Sequence, residues 1–350
     1  MEVFTPLGLA AAVTLVLLPY VRRLSIRLGI VDQPKKGKIH QEPMPYLGGL
    51  AIYFGFWVAV MLTQEWSKEV FSFFIGSTII LISGLWDDSK DISAWTKLSF
   101  QLVAAFVVVI IGGVRITFVT SLFGVSPKDL GWLATPLTIA WIVGLTNAVN
   151  LVDGLDGLAA GVSGIAAITI GIIAWMEGFP SAGMLALILG VSALAFLRYN
   201  FHPARIFMGD TGALFLGFSL AVLSIIGLTK MATTVSLYMP VLILGVPVFD
   251  TLLAIVRRMI KKVPIFERDT DHLHHRLLAM GLSHRNAVLT VYGVCVLLGI
   301  SAIVIALLPS SQGMMALFLV TLAVLYGADK VGVIGRRVQQ HPTKQDNPSS

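Results

Sequence analysis

Carboxylates gather where apolar runs end. Asp87, Asp88 and Asp91 follow "LISGLW", Asp210 stands between Gly209 and Thr211 in "FMGDTGALFLG", and "LTNAVNLVDGLDGLAAG" (145–161) carries Asn147, Asn150, Asp153 and Asp156 at three-residue intervals. A fourth group is basic, with His272, His274, His275 and Arg276 in "DHLHHR". Acids this crowded repel one another unless a divalent cation, or an ammonium such as Lys97, offsets them. Asn side chains both donate and accept, as a base or sugar requires. Imidazole beside guanidinium suits an oxyanion such as phosphate, whereas the Cys and His spacing of a structural zinc site is absent. Carboxylates that can hold Mg²⁺ or Mn²⁺, with Lys, Arg and His for phosphate oxygens, are the parts of phosphoryl transfer.

Each group also has a plainer reading. The first is equally a solvated helix end with Ser93 capping the next helix, and Asp210 an ordinary N-cap. Asn, Asp and Gly at 147–157 are turn formers, and the histidines could be surface groups. Helical geometry sharpens the choice. Asp87 and Asp91 would share one face, and His272, His275 and Arg276 would align with His274 opposite. Steps of three residues advance by about 300°, so the four polar groups of 147–156 would spread over half a circumference. Gly154 and Gly157 supply the remedy, a helix break between 150 and 157 with a new helix starting near Asp156. His202 and His284 read as loop or interface histidines. Asp250, after "GVPVF" and near a kinking Pro247, reads as a partner of Arg257 or Arg258 or as a support for the site.

The elements that must hold these groups are membrane helices. The chain is 56% hydrophobic and 13% charged with a mean hydropathy of +0.85, far outside soluble norms. Eleven apolar stretches reach or approach the length of a span: 3–21, 47–63, 70–86, 98–114, 131–149, 157–176, 182–197, 212–229, 233–255, 288–308 and 312–329. Continuous apolar runs exclude a barrel, whose strands alternate, so the fold class is an all-α polytopic membrane protein. Only Glu2 precedes the first stretch, which reads as a retained anchor. The single Cys295 permits no intrachain disulfide. All but Lys68, Arg115, Lys128 and Lys230 of the 25 basic residues fall in the odd connections and the C-terminal tail. Lys and Arg are retained in the cytoplasm, which predicts an external N-terminus and a cytoplasmic C-terminus. Residues 1–335 read as one membrane domain and 336–350 as a disordered tail. With no basic soluble domain, nucleic acid is not an expected partner.

All but Glu2, Glu65, Glu69, Asp129 and Glu177 of the 19 acids also fall on the cytoplasmic side. A transporter of an anionic metabolite, the rival reading, would place ionisable groups along a midplane path, and only Asp250 qualifies. Acids at helix ends suit an enzyme that joins a soluble phosphorylated donor to a lipid acceptor.

From 32 to 285 the ordered motifs "DQPKKGKIH…PMPYLGGL", "GLWDDSKDISAWTKLSFQ", "NAVNLVDGLDGLAAG", "NFHPARIFMGDTG" and "DHLHHRL" resemble the polyprenyl-phosphate N-acetylhexosamine-1-phosphate transferases. Arg276 after the histidine pair is similar to the branch that transfers GlcNAc-1-phosphate and begins teichoic acid, O-antigen or related glycans. The resemblance implies transfer from UDP-GlcNAc to undecaprenyl phosphate, with Mg²⁺ or Mn²⁺, in the plasma membrane; another UDP-N-acetylhexosamine is the alternative donor. It implies Asp87, Asp88 and Asp210 as catalytic, and Asp210, Asp88 and Asp156 as metal ligands. Substrate contacts fall to Asp91, Lys97, Asn147, Asn150, Asp153, Asp156 and the 272–276 loop. Lys38 and His40 match a basic pair near the lipid phosphate, although Gly37 stands where Arg is common and Ala94 where Pro is. A homodimer is compatible with the family.

Overall fold

Long apolar runs leave the backbone no polar partner but itself, and helices are the result. The computed structural model describes residues 3–33, 43–119, 128–228, 238–261 and 272–330. It contains α1 (Phe4–Leu28), α2 (Gly48–Thr63), α3 (Lys68–Lys90), α4 (Ala94–Phe106, continuing as a wider turn over Val107–Ile111), α5 (Ala134–Val152), α6 (Leu158–Met176), α7 (Pro180–Asn200), α8 (Gly209–Leu228), α9 (Tyr238–Ile243), α10 (Gly245–Lys261), α11 (Leu273–Ala279), α12 (His284–Leu307) and α13 (Ser310–Lys330). Two antiparallel strand pairs, Val31–Asp32 with Met44–Pro45 and Phe118–Val119 with Lys128–Asp129, close short connections.

The protein is a multi-pass membrane protein. Among the described residues eight helical segments are long and apolar enough to cross a bilayer, with the apolar parts of α2 and α13 shorter. The expected span 233–255 is divided: among its described residues α9 ends at Ile243 and α10 begins at Gly245. Pro247 has no N–H to donate to the Ile243 carbonyl, and the helix parts at that point. The tail 336–350 and the pair Lys38 and His40 lie outside the described residues.

At the centre runs α8, whose spanning window is wholly buried among α2, α3, α5, α6 and α7. Glycines bring the backbones together, as is common between membrane helices. A Cβ on Gly84 of α3 would collide with the Thr211 backbone, and one on Gly49 of α2 with Gly212. Deeper in the bilayer, a Cβ on Gly217 would lie 2.8 Å from the Thr146 Cα of α5. The close approach of α3 to the start of α8 is what seats Asp87 and Asp88 beside Asp210.

Candidate active site

The final turn of α3 presents Asp87 and Asp88. Asp91 ends the helix in the left-handed region at φ 52°, its N–H donating to the Asp87 carbonyl at 2.8 Å. That turn removes Asp91 from the face it was expected to share with Asp87, and leaves it exposed. The Asp87 carboxylate accepts from the Ile92 N–H at 3.0 Å. Ser93 caps α4 by accepting from the Thr96 N–H at 3.2 Å, and the reversal returns Lys97 to the acids. Its Nζ lies 2.7 Å from Asp87 Oδ2 and 2.6 Å from Asp210 Oδ2.

Asp88 caps α8 from outside that helix. Its Oδ1 accepts from the Asp210 N–H at 2.8 Å, and its Oδ2 from the Thr211 N–H at 3.1 Å and the Thr211 hydroxyl at 2.6 Å. Gly209, at φ 68°, carries no Cβ that would strike the Asp88 carboxylate. A carboxylate at a helix N-terminus is favoured by the unpaired N–H groups and the helix dipole, and this one frees the Asp210 side chain to face Lys97. Ligand atoms of Asp87, Asp88 and Asp210 lie within 4.8 Å of one another. Three carboxyl groups against one ammonium among the described residues leave a net negative set, and an all-oxygen donor set of that kind fits a hard divalent cation. Asp88 Oδ1, with one donor, retains a lone pair for such an ion.

The expected helix break is present. Between Val152 of α5 and Leu158 of α6 the chain turns through Asp153 to Gly157, the last at φ 81°. Asn200 holds this turn to the next loop, accepting from the Gly157 N–H at 3.0 Å and donating to the Ile206 carbonyl at 3.0 Å. The Tyr292 hydroxyl of α12 donates to the Gly157 carbonyl. Crowding by surrounding protein, followed by the charges of Asp210, Asp88 and Asp156, pushes the Asp153 carboxyl up to about 7. Its surface stays open to water, which screens part of this effect.

Asp156 departs from expectation. Instead of completing a set with Asp88 and Asp210, its Oδ2 pairs with His202 Nδ1 at 2.9 Å and accepts from the Ala204 N–H at 3.1 Å. The His202 ring stacks on His284 at 4.2 Å and 17°. Asp156, His202 and His284 form a second group of potential ligands, but stacked rings aim their in-plane lone pairs side by side and do not converge them. Asn147 is likewise engaged: it exchanges hydrogen bonds of 2.7 and 3.2 Å with the buried Gln101 and donates to the Val143 carbonyl at 2.8 Å. The half-buried Asn150 side chain has no partner among the described residues.

The basic loop divides into anchors and contacts. His272 precedes α11 in extended conformation and is buried with Asp250. Asp250 Oδ2 is 2.8 Å from His272 Nδ1, and its Oδ1 accepts from the Leu273 N–H at 2.9 Å. The one acid available for a midplane path is thus spent on securing this loop. His274 is buried against the turn, where a Cβ on Gly154 would strike its Nε2. Burial, then the neighbouring His275, brings its pKa down to about 4, which leaves it neutral at pH 7. His272 and His274 therefore lie buried in parallel, 5.9 Å apart, and not on opposite sides, because the helix begins only after His272. His275 is exposed and Arg276 half-buried, so these two can reach a ligand. An apolar cavity of about 410 Å³, lined by Val246, Phe249, Leu253, Val294 and Leu297 among others, opens beside Asp250 and Leu273.

Sequence reasoning missed Gln101, Asn200 and Tyr292, which brace the site, and gave His202 and His284 no role. Only "NFHPAR" carried a signal, since it places Asn200 and His202 in a motif beside the acids.

Comparisons with known proteins place this arrangement among relatives. The profile of glycosyl transferase family 4 matches residues 70–228. The chain is 44% identical over 313 residues to the probable undecaprenyl-phosphate N-acetylglucosaminyl 1-phosphate transferase of Bacillus subtilis (strain 168), covering 89% of this chain and 86% of that protein. It is 35% identical to the decaprenyl-phosphate N-acetylglucosaminephosphotransferase of Mycolicibacterium smegmatis, covering 81% of this chain and 77% of that one. With the undecaprenyl-phosphate alpha-N-acetylglucosaminyl 1-phosphate transferase of Escherichia coli K12 it shares 26% identity, over 78% of this chain and 76% of the other.

Proposed function

The chain belongs to glycosyl transferase family 4, the polyprenyl-phosphate N-acetylhexosamine-1-phosphate transferases, and from that premise we propose that it transfers GlcNAc-1-phosphate from UDP-GlcNAc to undecaprenyl phosphate. The products are undecaprenyl-diphospho-GlcNAc and UMP, and the reaction is the first membrane step of a teichoic acid or similar cell-wall glycan. The observation that carries this reading is the convergence of Asp87, Asp88, Asp210 and Lys97. The relatives' names support a polyprenyl-phosphate acceptor and a GlcNAc-phosphate donor.

An acceptor phosphate monoester has a second pKa near 6, so it is mostly dianionic at pH 7 and needs little help from a base. Its oxygen attacks the β-phosphorus of the donor in line, the bond from that phosphorus to the bridging oxygen breaks, and UMP leaves with the electron pair. Asp87, held by Lys97, positions the acceptor. Asp210 and Asp87, with Asp88 beside them, would hold Mg²⁺ or Mn²⁺, which neutralises phosphate charge. Asn150 and Asp153 face the nucleotide, and His275 and Arg276 bind phosphate or sugar oxygens. The apolar cavity beside Asp250 accommodates prenyl chain. In the bilayer, α2, the α9–α10 pair and α13 complete eleven crossings, with the N-terminus outside and the site facing the cytoplasm.

The test supplies purified protein with undecaprenyl phosphate and radiolabelled UDP-GlcNAc or UDP-GalNAc, with and without Mg²⁺. Metal-dependent labelled lipid and stoichiometric UMP from UDP-GlcNAc are expected. No labelled lipid from any UDP-sugar would sink the enzyme reading. Rapid exchange of labelled UMP into UDP-GlcNAc without acceptor would replace the single displacement with a covalent route.

A further inference from the structure

Away from the acids, on the side of the molecule where α1 packs against α7, a cavity of about 370 Å³ is lined by Leu15, Leu194, Ala195, Arg198, Tyr199 and Arg205. Arg22 closes its polar end, its Nε donating to the Arg205 carbonyl at 3.2 Å. Among the described residues no acidic side chain pairs with Arg22, Arg198 or Arg205. Three exposed guanidinium groups thus gather with no counter-charge among the described residues.

The apolar part lies beneath them. Leu15 stands seven residues before Arg22 on α1, and Leu194 four before Arg198 on α7, so each pair occupies one helix face. At 1.5 Å per residue the leucines sit about 10 Å and about 6 Å further into the bilayer than their arginines. Both leucines are exposed, and Tyr199 adds a half-buried phenol between the two zones. Cationic above and hydrocarbon below, with an amphipathic ring at the boundary, the crevice has the polarity of an anionic lipid in reverse. Basic pockets between spanning helices at the membrane surface bind acidic headgroups in this way, and guanidinium groups match phosphate oxygens in pairs.

We propose that the α1–α7 crevice is a binding site for an anionic phospholipid, its phosphate held by Arg198, Arg205 and Arg22 and one acyl chain lying along Leu15, Leu194 and Ala195. The site is separate from the acid cluster, and its function is to seat the protein against the acidic leaflet.

The test is native mass spectrometry of the full chain in detergent, titrated with dioleoyl phosphatidylglycerol, dioleoyl phosphatidylcholine or glycerol 3-phosphate. The wild type should bind one phosphatidylglycerol at least tenfold more tightly than phosphatidylcholine, and glycerol 3-phosphate far more weakly than the lipid. R198Q/R205Q should weaken phosphatidylglycerol binding about thirtyfold, which is ~2 kcal/mol at 1.4 kcal/mol per tenfold. R23Q/R27Q, on α1 outside the crevice lining, should bind like the wild type. Should the double variant fail to fold, R198Q and R205Q singly should each weaken binding about fivefold. Equal binding of the two lipids, glycerol 3-phosphate binding as tight as the lipid, full retention by the Arg variants, or equal loss in R23Q/R27Q would each overturn the proposal.

Discussion

Lys97 occupies a position where it both supports and competes with a cation, and its replacement separates those effects. Its ammonium lies 2.7 and 2.6 Å from two carboxylates and its side chain is only 24% exposed. In Lys97→Met the acid cluster loses its one positive partner among the described residues, and the cluster becomes more negative by one unit. A unit charge about 4 Å away contributes about 4 kcal/mol at an effective dielectric constant of 20. Solvent screening and the relaxation of two freed carboxylates remove most of that, leaving about 1.4 kcal/mol, a tenfold gain in divalent affinity. The same change removes a phosphate-directed cation and the group that fixes Asp87, so turnover should fall by about a hundredfold or more. Electron paramagnetic resonance of Mn²⁺ titrated into both proteins measures the first quantity and labelled-lipid formation the second. Tighter Mn²⁺ with lower turnover is expected. Unchanged or weaker Mn²⁺ binding in Lys97→Met would refute the idea that Lys97 and the metal share these carboxylates.

Other outcomes follow from the braces around the site. His274, with its folded pKa lowered to about 4, favours the fold in its neutral form. Its contribution is complete above the unfolded value near 6.5 and is lost as pH falls from there toward 4; His274→Gln should flatten the pH dependence of the thermal midpoint across that window, and an identical slope would contradict the assignment. Asp250→Asn should disturb the buried His272 contact and the start of α11, raising KM for UDP-GlcNAc about tenfold and lowering the thermal midpoint through a stability loss of up to about 1–3 kcal/mol; an unchanged KM would remove the loop from substrate binding. Asn147→Leu should leave Gln101 unsatisfied and cost about 1–3 kcal/mol of stability, seen as a lower thermal midpoint with KM unaltered. A raised KM at full stability would instead restore Asn147 to the substrate.

Legibility from sequence differed by scale. Membrane helices were legible because each must satisfy its backbone within itself, and the break at 153–157 because Gly154 and Gly157 interrupt a polar run. The pairing of Asp156 with His202 and the Ala204 N–H was not, since it depends on how the α7–α8 connection packs against the 153–157 turn. Nor was the split of the histidines into anchors and contacts. His272 and His275 are alike in type, and only the burial of Asp250 on α10 makes one a support and leaves the other exposed. Long-range pairs such as Asn147 with Gln101 have no local signature, for a lone Asn on a helix reads the same whether it faces substrate or another helix.

The most direct test of the account compares wild type and Asp210→Asn in the same undecaprenyl-phosphate vesicles, following labelled lipid formed from UDP-GlcNAc across a Mg²⁺ titration. The account predicts metal-dependent product from the wild type and a loss of about a thousandfold in the variant at equal thermal stability. Wild-type rates from Asp210→Asn at every Mg²⁺ concentration would contradict it.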